Sequence, residues 1–164
     1  MKVSQILKVT TGKLLSGDRN SEIDLAKIST DSRSIKRGEF FIALSGPNFC
    51  GSRFLDEALR KGAIGAIVED GSAIERNSDK VLITVKDAVK ALQDIALTHR
   101  SNFNIPVIAI TGSNGKTTVK DMIAEVLATK YPVLKNDGTK NNHIGVPQTL
   151  LKLNKKHRVC VLEL

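Results

Sequence analysis

The first part of the chain alternates short apolar runs with polar turns. Runs of strand length lie at residues 26–30, 40–44, 66–68 and 81–85. Polar residues 31–34 leave the first run as a turn, and residues 4–9 read as a short helix. Ser52 is a candidate N-cap for a helix that runs to Arg60. The pattern predicts a small α/β unit.

A longer helix closes this unit. Asp87 is a candidate N-cap for it. Its apolar face consists of Ala88, Leu92, Ile95, Ala96 and His99. Residues 101–104 are short and polar and predict a linker. We therefore expect one domain at residues 1–102 and a second at residues 103–164.

The strand and helix pattern restarts after the linker. Predicted strands lie at residues 106–110, 133–134 and 158–162. A helix is predicted at residues 118–130, with an apolar stripe formed by Val119, Met122, Ile123, Val126 and Leu127. Strands that alternate with helices indicate a parallel sheet with right-handed crossovers.

Composition and charge narrow the function classes. The 164 residues carry a formal net charge of +8, but the basic residues are spread along the chain. The densest basic group, at residues 155–158, has no interleaved aromatic residues for base stacking, so we expect no nucleic-acid partner. A positive field also suits substrates with several phosphates.

The compartment follows from what the chain does not contain. No apolar run reaches the length of a membrane span, and the first residues do not form a signal peptide, so we expect a cytoplasmic protein. Cys50 and Cys160 are far apart and are expected to be free thiols.

A glycine-containing loop between the strand at 106–110 and the following helix predicts a phosphate site. The loop consists of Thr111, Gly112, Ser113, Asn114, Gly115, Lys116, Thr117 and Thr118. Backbone N–H groups and the helix N-terminus converge there on an anion. Lys116 is the candidate catalytic residue that reaches the β- and γ-phosphates, and the Thr117 hydroxyl is a candidate ligand of Mg²⁺.

The loop departs from the strict P-loop pattern. That pattern requires glycine where this chain has Ile110, and a glycine stands instead at position 112. Glu163 ends the last predicted strand, at the sheet edge where open α/β sheets bind their ligands. Its carboxylate is a second candidate ligand for Mg²⁺.

The variant loop from Thr111 to Thr118 resembles the ATP loop of the Mur ligases and of the related folylpolyglutamate synthetases. Residues 30–33 and 38–44, with Gly46 and Gly51, are similar to the N-terminal domain of the Mur ligases that handle the longer peptide stems. The resemblance implies that this domain binds the UDP end of the substrate. It implies contacts from Ser32, Pro47, Asn48 and Phe49, with Arg33 in support. Cys50 stands where the family usually has aspartate.

Residues 141–151 resemble the corresponding segment of the family member that adds D-alanyl-D-alanine. The resemblance implies that Asn141 and Asn142 line the nucleotide side of the site. Gly145 and Pro147 also suit the start of a helix. The implied fold is α/β, with a small UDP-substrate-binding domain followed by the start of a parallel-sheet P-loop ATPase domain.

The resemblance implies an ATP- and Mg²⁺-dependent ligase of peptidoglycan precursor synthesis. It would join D-alanyl-D-alanine to UDP-N-acetylmuramoyl-tripeptide through an acyl phosphate. Two alternatives stay open: the sister ligase that adds the third stem residue, and a nucleotide-binding module without chemistry. Members of the family have three domains, so we expect the 164 residues to be an N-terminal fragment without ligase turnover of its own.

Overall fold

Two β-sheets organise the part of the chain that the structure describes. The computed structural model describes residues 1–46, 49–70, 79–138 and 140–164. These residues form two units, Met1–Ile95 and Ala96–Leu164. Each unit combines helices with a sheet of largely parallel strands, which confirms the predicted α/β class.

The first unit holds a five-stranded sheet. Its strands are β1 (Lys13–Ser16), β2 (Ile28–Ser29), β3 (Phe40–Ile42), β4 (Gly65–Glu69) and β5 (Val81–Val85), in the spatial order β1-β5-β4-β3-β2. Only β1 pairs antiparallel, against β5. Its α-helices include α1 (Val3–Thr10) and α2 (Leu55–Arg60), and short 3-10 helices lie at Leu25–Lys27 and Gly51–Phe54. Helix α3 (Ala88–Arg100) begins in this unit and ends in the second.

Both faces of this sheet are buried. On one face, Phe41, Ala66 and Leu82 pack in one cluster with Leu55 and Ala58 of α2. The residues that alternate with them along the strands are also buried, namely Phe40, Ile42, Ile67 and Ile83. Parallel strands covered on both faces read as continuous apolar runs, which explains why β3, β4 and β5 were predictable.

Two expectations for the first unit were wrong in detail, and one strand was missed. The run at 26–30 forms a strand only at Ile28–Ser29, after the 3-10 turn Leu25–Lys27. Lys13–Ser16 forms an edge strand that the pattern did not indicate. Ser52 does not cap α2, because it lies inside the 3-10 helix Gly51–Phe54 and its hydroxyl contacts the Cys50 thiol.

The second unit holds a three-stranded parallel sheet, as predicted. Its elements are β6 (Val107–Ile110), α4 (Lys116–Ala128), β7 (Val133–Lys135), α5 (Gly145–Leu150) and β8 (Val159–Glu163). The spatial order β6-β8-β7 places the last strand between the other two. The carboxyl ends of all three strands therefore meet at one edge of the sheet.

Helix α4 covers one face of the second sheet with only part of its apolar stripe. Ile123 and Leu127 pack with Ala124 against Val159 and Val161 of β8. The other stripe residues are exposed, with Val119 at 44%, Met122 at 61% and Val126 at 70%. The stripe was therefore predicted too wide, and α4 also begins at Lys116, two residues before the predicted start at 118.

The remaining structural expectations concern the cysteines and the membrane. Cys50 is exposed and Cys160 is buried, and both are free thiols, as predicted. Burial raises the pKa of the Cys160 thiol to about 11. Across the described ranges, no helix is both long and apolar enough to cross a bilayer.

The N-terminus of α3 generates a test of the capping prediction. Asp87 Oδ1 accepts a hydrogen bond from the Lys90 backbone N–H at 2.8 Å. We expect Asp87→Ala to lower the free energy of unfolding by about 1 kcal/mol, because a first-turn N–H loses its acceptor. Asp87→Asn keeps a side-chain oxygen and should stay close to the wild type. Urea denaturation followed by circular dichroism measures both, and an unchanged Asp87→Ala variant would contradict this role.

Candidate functional site

The predicted phosphate loop connects the end of β6 to the start of α4. Gly112 and Gly115 have φ angles of +145° and +75°, which favour glycine strongly over other residues. A Cβ atom at either glycine would meet no other atom within 4 Å, so the space above the loop is open. Ile110 still belongs to β6, and the turn begins only afterwards. This explains why the first glycine of this variant stands at position 112.

Lys116 is the first residue of α4 and folds back over the loop. Its Nζ donates to the carbonyl oxygen of Gly112 at 2.8 Å. Lys116 is one of the residues that line a cavity of about 290 Å³. That cavity is lined by Ser113, Asn114, Gly115, Lys116, Thr117, Thr118 and Glu163. A helix N-terminus, loop N–H groups and a lysine at one cavity can hold a phosphate chain.

Glu163 closes one side of this cavity. The register of β6 and β8 places it opposite Ile110, where the loop leaves the sheet. Its Oε2 accepts from the Thr117 hydroxyl at 2.7 Å, and its Oε1 accepts from Asn141 Nδ2 at 2.8 Å. These two bonds, the Thr117 bond above all, and the charges of Lys120 and Lys116 hold the pKa of Glu163 below its ordinary value. The carboxylate is therefore ionised at neutral pH.

The two asparagines that the sequence singled out have different partners. Asn141 reaches Glu163, as described above. Asn142 Oδ1 accepts from the backbone N–H groups of Ile144 at 3.1 Å and Gly145 at 2.8 Å. Its side chain therefore supports the start of α5. The structure brings Asn141 to the loop cavity and leaves the nucleotide role of Asn142 as a prediction.

Asn136 is a buried residue of this corner that sequence reasoning missed. Its Oδ1 accepts from the Glu163 backbone N–H at 3.0 Å. Its Nδ2 donates to the carbonyl oxygens of Glu163 at 3.1 Å and Lys140 at 2.9 Å. Asn136 thus ties the end of β7 to the end of β8. A single asparagine after a short strand gave no pattern that distinguishes it from a turn residue.

Lys120 is the second residue that was missed. It is 1% exposed, and its Nζ donates to the Asn136 carbonyl oxygen at 2.9 Å. The Asp121 carboxylate lies 3.6 Å from the same nitrogen. The sequence did contain a signal for its burial. Lys120 lies one helical turn after Lys116 and next to the apolar positions of α4.

A second candidate site lies in the first unit. A cavity of about 360 Å³ is lined by Thr30, Asp31, Ser32, Arg33, Phe41, Leu44, Phe49, Gly51 and Phe54. The structure therefore brings Ser32, Arg33 and Phe49 to one cavity, although Phe49 belongs to a different loop from the other two. Pro47 and Asn48, which were also predicted to contact the nucleotide, lie outside the described residues.

Buried and paired polar groups hold one wall of this cavity. Ser32 is buried, and its hydroxyl donates to Glu57 Oε2 at 3.1 Å. Lys61 Nζ donates to Glu57 Oε1 at 2.7 Å and to the Ser32 carbonyl oxygen at 2.9 Å. The sequence analysis missed Glu57 and Lys61, although their four-residue spacing on a helix was a usable signal for an ion pair.

Arg33 and Asp31 form a bidentate ion pair beside this cavity. Arg33 Nε and Nη2 donate to the two Asp31 oxygens at 2.9 Å and 2.8 Å. The hydrogen bond from Arg33 lowers the pKa of Asp31 to about 2. The Arg33 side chain is 84% exposed, so its guanidinium group is accessible from solvent beside the cavity.

Aromatic rings also line this cavity. Phe49 is 57% exposed and Phe54 is 44% exposed. Gly46 and Phe49 exchange two backbone hydrogen bonds, at 3.0 Å and 3.2 Å. A Cβ at Gly46 would lie 2.8 Å from the Phe49 ring, so the ring rests directly on the glycine. Exposed rings beside a charged rim suit a ligand with a flat base and phosphates.

Comparison with protein families matches both units. A model described as Mur ligase family, catalytic domain, matches residues 24–135, and one described as Mur ligase middle domain matches residues 110–164. The second match contains the loop, Asn141 and Glu163.

Two curated relatives align with nearly the whole of this chain. UDP-N-acetylmuramoyl-tripeptide–D-alanyl-D-alanine ligase of Haemophilus influenzae is 40% identical over 98% of this chain and 35% of its own length. The enzyme of that name from Escherichia coli K12 is 36% identical over 99% of this chain and 34% of its own length. The chain thus spans about a third of the length of these relatives.

Solved structures agree with the fold described above. MurF from Acinetobacter baumannii superposes with a TM-score of 0.86 at 32% identity, over 99% of this chain and 35% of that one. MurF ligase from Thermotoga maritima, solved in complex with ADP, gives a TM-score of 0.73 at 35% identity, over 87% of this chain and 33% of that one. A diaminopimelate-adding ligase, at 19% identity and a TM-score of 0.59, shares the fold alone.

The extent of the family match decides the assignment. The catalytic-domain model covers residues 24–135 of 164, which is more than half of the chain. The phosphate loop found from the sequence lies where that model and the middle-domain model overlap. The chain therefore belongs to the Mur ligase family.

Proposed function

We propose that this chain supplies the UDP-binding unit and the ATP-binding loop of a ligase that joins D-alanyl-D-alanine to UDP-N-acetylmuramoyl-tripeptide. The relatives that carry this name are about three times as long, so the complete reaction is part of the proposal. The contact between Thr117 and Glu163 at the loop cavity carries it, because it unites the loop with the acidic strand end.

The second unit would hold ATP through the loop. Residues 113–118, which include the start of α4 and Lys116, line the cavity. Positive charge at this position would bind the β- and γ-phosphates and stabilise the charge that develops on the transferred phosphoryl group. Asn141 would add a contact to the nucleotide. Asn142, whose side chain accepts two hydrogen bonds at the start of α5, would support the segment that carries Asn141.

Thr117 and Glu163 fit Mg²⁺. A hydroxyl oxygen and an ionised carboxylate oxygen lie 2.7 Å apart at the edge of the loop cavity. Mg²⁺ prefers such hard oxygen ligands and commonly binds through one or two protein groups together with phosphate oxygens. When bound, the ion would neutralise phosphate charge during phosphoryl transfer.

The first unit would hold the uridine nucleotide. Phe49 offers its exposed ring to the base, and Ser32 and Arg33 lie on the polar side of the same cavity. Pro47 and Asn48 would complete the contact. The Glu57–Lys61 pair would fix Ser32, because both side chains bond to it. The proposal places the protein in the cytoplasm, where ATP and the nucleotide substrate are available.

Two observations favour D-alanyl-D-alanine over the alternatives. Residues 141–151 match the segment typical of that member, and the relatives named above share its name at 36% to 40% identity. The diaminopimelate-adding ligase is only 19% identical. An enzyme of the relatives' length that contains this chain should join D-alanyl-D-alanine and not a diamino acid. A preference for the diamino acid would favour the sister enzyme, and ATP binding without either reaction would favour a binding module.

The phosphate loop generates a prediction for Lys116. Lys116→Met should weaken ATP binding by about tenfold or more, because a charge-assisted hydrogen bond contributes roughly 1.5–3 kcal/mol. Calorimetric titration of the 164-residue chain measures this, and Lys156→Met, which removes an exposed charge, is the matched control. Equal affinities for ATP in the two variants would contradict the role of Lys116.

The aromatic wall generates a prediction for UDP. Phe49→Ala should weaken UDP binding by about tenfold, because stacking on an aromatic ring contributes roughly 1–3 kcal/mol per base. Tyr131→Ala removes a comparably exposed ring from the second unit and should leave UDP binding unchanged. Titration of both variants with UDP and with ATP provides the internal control. A Phe49→Ala variant that loses ATP affinity but keeps UDP affinity would overturn this assignment.

A further inference from the structure

Lys120 is a buried cation on a helix face that is otherwise apolar. Ile123, Ala124 and Leu127 of the same helix pack against β8, while Lys120 is 1% exposed. Burial of an ammonium group is costly unless it is paired and hydrogen-bonded. Burial of an apolar side chain here would cost less free energy. The ammonium group is therefore expected to have a specific hydrogen-bond partner.

The hydrogen-bond partner of Lys120 Nζ is the backbone of Asn136 at the end of β7, and the Asp121 carboxylate lies 3.6 Å from the same nitrogen. The Asn136 side chain is 0% exposed and makes three hydrogen bonds to the backbone of Glu163 and Lys140. Lys120 Nζ donates to the carbonyl oxygen of the same asparagine. Asn136 therefore bonds to Lys120 through its backbone and to two other chain segments through its side chain.

Those two segments carry the groups that face the loop. Glu163 presents its carboxylate to Thr117, and the residue after Lys140 is Asn141, which donates to the other oxygen of that carboxylate. The backbone of Glu163 and the residue before Asn141 are thus bonded to the Asn136 side chain, and the Asn136 backbone is bonded to Lys120.

We propose that Lys120, acting through Asn136, is a positioning residue that sets the Glu163 carboxylate and the Asn141 amide for Mg²⁺-ATP. The inference rests on the proposed ATP site. Lys120 is not among the residues that line the loop cavity, and its Nζ is bonded to the Asn136 carbonyl oxygen. It therefore acts on Glu163 through Asn136 as well as through its charge.

The test measures the affinity of the 164-residue chain for ATP with Mg²⁺ and with a chelator. The ratio of the two affinities is the gain due to the metal. Lys120→Met should lower this ratio by about tenfold, which is typical when a residue that orients a metal ligand is removed. Lys130→Met, an exposed lysine just beyond α4, controls for the lost charge.

Two further variants keep the inference testable if Lys120→Met fails to fold. Lys120→Gln keeps N–H donors on a shorter, neutral side chain and should show the same loss. Asn136→Ala keeps the carbonyl that Lys120 binds but removes the side-chain bridge, so it should also lower the ratio. The double variant Lys120→Gln with Asn136→Ala should lose no more than the larger single effect, because the two residues act in series.

If Lys120 and Asn136 only stabilised the fold, their variants would weaken ATP binding equally with and without Mg²⁺. An unchanged ratio of the two ATP affinities in Lys120→Gln and Asn136→Ala would overturn the inference. Additive losses in the double variant would overturn the coupling through Asn136. If the wild-type chain does not bind ATP at all, the proposed function falls together with this inference, whereas Mg²⁺-dependent binding with unaffected variants removes the inference alone.

NMR can detect a change in the environment of the Asn141 side-chain amide. Asn141 donates its side-chain N–H to Glu163, and Asn136 donates to two carbonyl groups, so both amide groups should give dispersed, slowly exchanging signals. Lys120→Gln should shift the Asn141 amide signal, although residue 141 does not touch residue 120 through any hydrogen bond described above. An unmoved Asn141 signal would contradict the proposed chain of contacts.

Discussion

The nucleotide site depends on the register of β6 against β8. That register pairs Ile110 with Glu163, so the last residue before the phosphate loop lies beside the acidic strand end. Because side chains alternate between the faces of a strand, a shift by one residue would turn the Glu163 carboxylate away from Thr117. The backbone N–H of Leu164 extends this pairing by donating to the Ile110 carbonyl oxygen at 2.9 Å. Backbone pairing thus fixes a side-chain contact between residues far apart in sequence.

The strongest sequence signals were those produced by burial and by backbone conformation. Continuous apolar runs located β3, β4, β5 and β8 because parallel strands are buried on both faces. Gly112 and Gly115 marked the loop because both require positive φ angles. The acidic strand end at Glu163 was found from topology alone, and the structure places it against Thr117. The phosphate corner was therefore largely predictable in outline.

The missed features depend on contacts that no local pattern encodes. Lys120 looks like any helix lysine, and its burial arises only because β7 ends beside α4. Asn136 acts through hydrogen bonds to residues that follow it at some distance along the chain. The apolar stripe of α4 was read too widely, because periodicity cannot tell which part of a face the three-stranded sheet covers. The helix start at Leu55 was shifted by the 3-10 turn at Gly51–Phe54.

In the proposed site, ATP would bind at the loop and Mg²⁺ would bind between Thr117 and Glu163. Calorimetric titration of ATP into the wild-type chain and into the Glu163→Gln variant, each with and without Mg²⁺, tests this most directly. Glutamine keeps the shape and a hydrogen-bond acceptor but removes the charge. We predict Mg²⁺-dependent ATP binding in the wild type and loss of most of the metal-dependent gain in the variant. The same Mg²⁺-dependent gain in both proteins, or no ATP binding by the wild type, would contradict the account.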